Sequence, residues 1–134
     1  MAIGKKGTKA YSITGFKCPT CHEGDLFKTN ILDMKAPFDM KDNCEHCGQR
    51  YMIEPGFYWG AMYIAYGLSS GLMLTGSAIG LIFLGWSVNQ TFAVLIALLL
   101  VLYVLIFRLA RSIWINIYVH YDKNKAKKKE AVIN

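Results

Sequence analysis

From Tyr58 to Phe107 the chain carries no Asp, Glu, Lys or Arg, an uncharged run of 50 residues in a protein of 134. About 20 apolar residues cross a bilayer once, so a run of this length fits two crossings joined by a tight turn. The polar break Ser87-Val-Asn-Gln90 is predicted as that turn, with helices over about 58–86 and 91–119. Between Phe92 and Phe107 lie 13 residues of the Leu, Ile, Phe and Val class. At about −0.3 to −0.6 kcal/mol each, they favour insertion by several kcal/mol. Aromatic clusters flank the run, Phe57-Tyr-Trp on one side and Trp114, Tyr118 and Tyr121 on the other, and a hairpin sets Tyr118 level with Tyr58.

The charges left outside this run set an orientation. Residues 1–57 hold eight Lys/Arg against seven Asp/Glu, residues 108–134 hold seven against two, and the turn holds none. Positive charge is retained on the cytoplasmic side, so both termini are expected there. The Lys123 to Lys129 run suits anionic lipid, whereas a head with a net charge of +1 argues against a nucleic-acid partner. The first 17 residues include four lysines but lead into no apolar stretch, so no secretory leader is expected. No Asp, Glu, Lys, Arg or His falls between Tyr58 and Phe107, which leaves that run without a proton relay. It also has no phosphate-binding glycine loop, nucleophile beside a base or carboxylate pair; the expectation is a non-enzymatic protein with no small-molecule substrate.

The head contains all four cysteines, as Cys18-Pro-Thr-Cys21 and Cys44-Glu-His-Cys47. Two such pairs can place four thiolates at the corners of a tetrahedron, and in a reducing compartment a metal outweighs two disulfides. Structural zinc is the expected occupant, because four protein sulfurs leave no open position for water or substrate. Iron in the same cage is an alternative. Haem c is another, since Cys18 to His22 fits the Cys-x-x-Cys-His attachment pattern, although it leaves Cys44 and Cys47 unused. His22 and His46 read as solvent-facing turn residues. Each ligand pair leads into a short predicted strand, Asp25 to Lys28 and Gln49 to Ile53, with Gly48 where a positive φ is needed and a further strand at Phe38 to Lys41. The fold expected is a membrane protein in which a small N-terminal zinc-ribbon β domain precedes an antiparallel two-helix transmembrane hairpin. Its divisions are a flexible basic arm over 1–15, the ribbon over 16–54, the hairpin over 57–121 and a basic tail over 122–134. So small a ribbon needs metal to fold.

Two further groups of residues are candidate sites. Gly67 and Gly71, Gly76 and Gly80, with Gly60 seven residues before Gly67, give the first helix a face that another helix backbone can approach closely. Either the second helix of the same chain or a further membrane protein can take it, and two motifs favour the further partner. Arg108 and Arg111 follow the apolar run and are expected to reach the inner interface as snorkelling charges, the alternative being buried cations paired on a partner.

The Cys18 and Cys44 knuckles with Gly24, Leu26, Phe27 and Gly48, followed by Glu54-Pro-Gly-Phe57 leading into two membrane helices, resemble a bacterial family, domain-of-unknown-function family 983, over roughly residues 16–121. The resemblance implies that Cys18, Cys21, Cys44 and Cys47 are metal ligands. Members of that family are often encoded near cytochrome c oxidase genes. By that association the resemblance implies an accessory subunit or assembly factor of a respiratory oxidase in a bacterial cytoplasmic membrane.

Overall fold

The computed structural model describes residues 4–33 and 35–125, so most of the Lys123 to Lys129 run and of the predicted basic tail lies outside the described residues. Among the described residues three α-helices organise the chain: α1 (Lys9–Gly15), α2 (Trp59–Ala78), which a π-helical turn over Ile79–Phe83 prolongs, and α3 (Val88–Tyr118).

Two of these elements are long and apolar enough to cross a membrane, Trp59–Phe83 and Val88–Tyr118. Their large side chains are largely exposed, among them Leu74, Ile82, Phe83, Leu100 and Val101, whereas the core helix of a water-soluble domain would bury them. Backbone satisfaction follows the same requirement. The hydroxyls of Ser69, Ser70 and Thr75 each donate to the carbonyl four residues back, so these three donors are satisfied within α2.

The turn between the helices falls earlier than the polar residues suggest. Ser87 is the N-cap of α3 and its hydroxyl accepts from the Gln90 N–H, while the Gln90 side chain accepts from the Ser87 N–H. This reciprocal capping box makes Ser87 to Gln90 the first turn of α3 rather than the connection. The chain reverses over Leu84 to Trp86, where Gly85 adopts a φ of 62°. The helices run antiparallel: Gly80 packs on Thr91 beside the turn, Gly76 on Leu95, and Gly60 on Trp114 at the far end.

The predicted strands do not form as such. Among the described residues the head contains no β-strand, only isolated antiparallel bridges, Lys17 to Asp25, Phe27 to Met40 and Asn43 to Arg50. The predicted strands shrink to bridged residues, Asp25 and Phe27 in the first, Met40 and Arg50 in the others. The Cys18 N–H to Gly24 O and Cys44 N–H to Gln49 O bonds belong to these bridges, and the ladders stop there because the carbonyls of Cys18 and Cys44 turn to the N–H groups of His22 and Gly48. The start of the chain also departs from the loose arm expected there. Residues Lys9–Gly15 form α1, capped by the Thr8 hydroxyl, and α1 lies against α3 with Ser12 buried and the Ser112 hydroxyl donating to Ile13 O.

The head is not an independent unit beside the hairpin. Its core of Cys18, Cys21, Leu26, Phe27, Cys44 and Tyr51 includes Ile115 of α3, with Phe57 and Val119 packed on the edge. A helix of 31 residues is about 46 Å long, more than the roughly 30 Å of hydrocarbon, so the last turns of α3 are free to serve as a strut for the head.

Candidate metal centre

The four cysteine sulfurs all lie within 4.8 Å of one another, with Cys18 Sγ 3.7 Å from Cys47 Sγ and Cys21 Sγ 3.6 Å from Cys44 Sγ. A tetrahedral ion with metal–sulfur bonds of about 2.3 Å has sulfur–sulfur edges of about 3.8 Å, so these separations suit one shared ion. None of the four is in a disulfide. The donor set is all sulfur, which suits a thiophilic metal. Electrostatics argue the same way. The Cys44 thiol is held well below its ordinary pKa by hydrogen bonds from Cys18 and Cys21, while burial pushes Cys47 up to about 12. The two shifts run in opposite directions, and a divalent ion among the sulfurs would favour the thiolate form of each ligand.

Local sequence explains why the sulfurs converge. In both knuckles the residue after the second cysteine is left-handed, His22 at φ 59° and Gly48 at φ 74°. Its N–H returns to the carbonyl of the first cysteine, His22 to Cys18 and Gly48 to Cys44, each at 2.9 Å. Gly24 passes so close to Cys44 that a Cβ there would overlap its sulfur, which leaves only glycine for the position. Tyr51, fully buried, donates its hydroxyl to Asp25 O and so ties the strand-like segments after the two knuckles together.

His22 does not face solvent. It is buried between Tyr11 of α1 and Tyr121, with ring centroids at 5.7 and 4.5 Å, and its Nδ1 accepts from the Gly7 N–H. Burial lowers its pKa, in keeping with an unprotonated Nδ1. A histidine occupied in this way binds the start of the chain to its end and is not directed at the sulfurs.

Arg108 departs furthest from expectation. It is 2% exposed and so does not snorkel. Its guanidinium donates to Pro37 O, Thr29 O, Thr29 Oγ1 and Asn30 O at 2.8–3.2 Å and lies 4.7 Å over the Phe27 ring. The head has folded back along α3 and supplied the cation with main-chain acceptors, helped by Phe38 stacking edge-on to Tyr103 and Phe107. The fork of planar donors collects carbonyls from both sides of one loop, a task for which an ammonium has the wrong shape.

A family model described as a protein of unknown function (DUF983) matches residues 34–118, from the loop held by Arg108 through the end of α3. The chain belongs to the DUF983 family. No curated protein and no solved structure matches it. The DUF983 match includes Cys44, Cys47 and both helices but starts after Cys18 and Cys21, so the first knuckle joins the cluster on structural grounds rather than on the match.

Within this DUF983 hairpin the glycines divide. At Gly60, Gly76 and Gly80 an added Cβ would collide with Trp114, Leu95 and Thr91, so these three let α3 approach. Gly67 and Gly71 have nothing within 4 Å of the Cβ position. Trp114 is fixed over Gly60 by its indole N–H, which donates to Phe57 O at 2.6 Å, and Phe57 and Tyr118 complete the aromatic layer at ring separations of 5.0–6.2 Å. Arg111 lies over Phe107 and Tyr58, with its cation 4.3 and 5.2 Å from the ring centroids.

Proposed function

We propose that this protein is a non-enzymatic accessory subunit or assembly factor of a larger integral membrane complex, with zinc as the structural metal of its head. The observation that carries the reading is the division of the glycines: α3 uses Gly60, Gly76 and Gly80, and the Gly67 to Gly71 face remains for a helix of another protein. Close backbone approach at small residues is the main source of affinity between helices in lipid. Zinc would be held by Cys18, Cys21, Cys44 and Cys47 and would supply cross-linking alone, since four protein ligands fill its tetrahedron. The charge asymmetry supports a reading in which both termini lie in the cytoplasm of a bacterial cell, with the Leu84 to Trp86 turn outside. A respiratory oxidase is the partner suggested by the genomic association of the resembling family.

The alternative is a redox or metal-handling protein, with iron or haem on the Cys-x-x-Cys pairs. Burial of Cys18 and Cys21 among the other two sulfurs favours a shared metal over covalent haem. Co-purification from native membranes in mild detergent tests the proposal. The expected result is a large assembly that Gly67→Leu or Gly71→Leu disrupts while the hairpin stays folded; migration of the wild-type chain as a free small protein would sink it.

A further inference from the structure

Where the head meets the start of α2 the surface opens into a groove of about 430 Å³. One wall is apolar, formed by Phe57, Trp59 and Met62 at the level of the aromatic layer. A narrower crevice of about 70 Å³ adjoins it at Tyr58, Met62 and Arg111 and runs between the helices past Ala61, Ala65 and Ala110. The small alanines leave a slot whose polar and charged lining is confined to its head end.

Arg111 stands at the junction of groove and slot. Arg108, one turn away, has its donors filled by the head, whereas the Arg111 guanidinium has ring faces against it and no hydrogen-bond acceptor among the described residues. A cation with open N–H groups beside an apolar slot seeks an anion that comes attached to hydrocarbon. The head-side rim of the groove carries Asp39, Lys41 and Asp42. Asp39 pairs with Lys28 at 3.6 Å and Lys41 with Glu45 at 2.9 Å, which leaves Asp42 as the rim carboxylate with no ion pair among the described residues. The uncompensated charges are thus one guanidinium on the membrane side and one carboxylate on the head side.

From this arrangement we infer that the groove binds one zwitterionic phospholipid whose headgroup ends in a primary ammonium, of the phosphoethanolamine type. Its phosphodiester takes the Arg111 donors, its ammonium faces Asp42, and the first methylenes of an acyl chain enter the alanine slot between α2 and α3. A headgroup with no cation, such as phosphoglycerol, satisfies Arg111 but offers Asp42 only neutral hydroxyl donors, and a quaternary ammonium cannot donate a hydrogen bond to the carboxylate. The inference rests on the membrane reading of the hairpin, which detergent-phase partitioning of the full chain tests separately beforehand.

The direct experiment is native mass spectrometry of the full-length, delipidated protein in mild detergent with equimolar phosphatidylethanolamine, phosphatidylglycerol and phosphatidylcholine. One phosphatidylethanolamine per chain is expected to be retained in preference to the others. Arg111→Gln is expected to weaken its retention by about tenfold or more, the loss that removal of hydrogen bonds to a charged group implies. Asp42 is exposed and outside the core, so Asp42→Asn keeps the fold and is expected to remove the headgroup preference while leaving lipid bound. Equal retention of the three lipids by the wild type, no lipid retained, or Asp42→Asn with its preference intact would each overturn the inference. Circular dichroism of Arg111→Gln separates loss of the site from loss of the helices.

Discussion

Arg108 shows how one side chain can join two parts of a molecule. A guanidinium buried with four acceptors is stable there only while the loop from Thr29 to Pro37 stays in place, and the loop's carbonyls have their donors only while Arg108 remains. Arg108→Lys keeps the charge but removes the fork, and is expected to destabilise docking of the head by about 2–4 kcal/mol, the range for losing several charged hydrogen bonds and leaving carbonyls unpaired. Hydrogen exchange should show it as faster exchange over residues 25–41 with the helices unchanged. The role was not legible in the sequence. Its acceptors lie 71 to 79 residues earlier and are mostly main-chain oxygens, which no residue type advertises. The cysteines were legible because each ligand is a side chain of one distinctive type at fixed spacing.

The glycines also act residue by residue, and they test the hairpin. Gly60→Ala forces a methyl group into the Trp114 ring and is expected to cost about 1–3 kcal/mol, as overpacking does. Gly67→Ala meets open space and is expected to be neutral or to stabilise α2 by up to about 1 kcal/mol. Thermal unfolding of the two variants in the same detergent compares them directly. Equal effects would place α2 and α3 in a different register.

At the scale of elements, the uncharged run revealed both long helices but misplaced their connection. Ser87-Val-Asn-Gln90 looks like a loop when read for polarity, whereas Ser followed three residues later by Gln is also a capping box, and the cap prevailed because an apolar helix must satisfy its first N–H groups locally. Ser87→Ala should therefore cost about 1 kcal/mol and fray the first turn of α3, seen as faster amide exchange at Val88 to Thr91. Were Ser87 merely a loop residue, the substitution would leave exchange there unchanged. The absence of extended strands has a related cause. Closely spaced cysteine turns use up the backbone partners that a hairpin ladder needs, so turn, ligand pair and glycine were readable and the strands reduced to single bridges. The first helix was missed because seven residues with little apolar period give no signal of their own, and α1 is held by burying Ser12 and packing Tyr11 on His22.

The whole molecule is a hairpin whose longer helix continues out of the apolar zone to become the spine of the head. Ile115 enters the core beside the cysteines, Asn116 and Ser112 extend a polar seam along α3, and the Asp122 N–H donates to Thr20 O in the first knuckle. A small cysteine-rich unit that gains this much from a neighbouring helix is expected to depend less on a metal than its own size implies, while the sulfur separations of 3.6 and 3.7 Å still suit a tetrahedral ion. The proposed metal and the shared core therefore meet at the cysteine cluster. X-ray absorption spectroscopy with elemental analysis on the protein purified in mild detergent tests this most directly. One zinc per chain with four sulfur neighbours at about 2.3 Å is the predicted result. Absence of stoichiometric metal, or a zinc shell containing nitrogen or oxygen in place of one of the four cysteines, would contradict it.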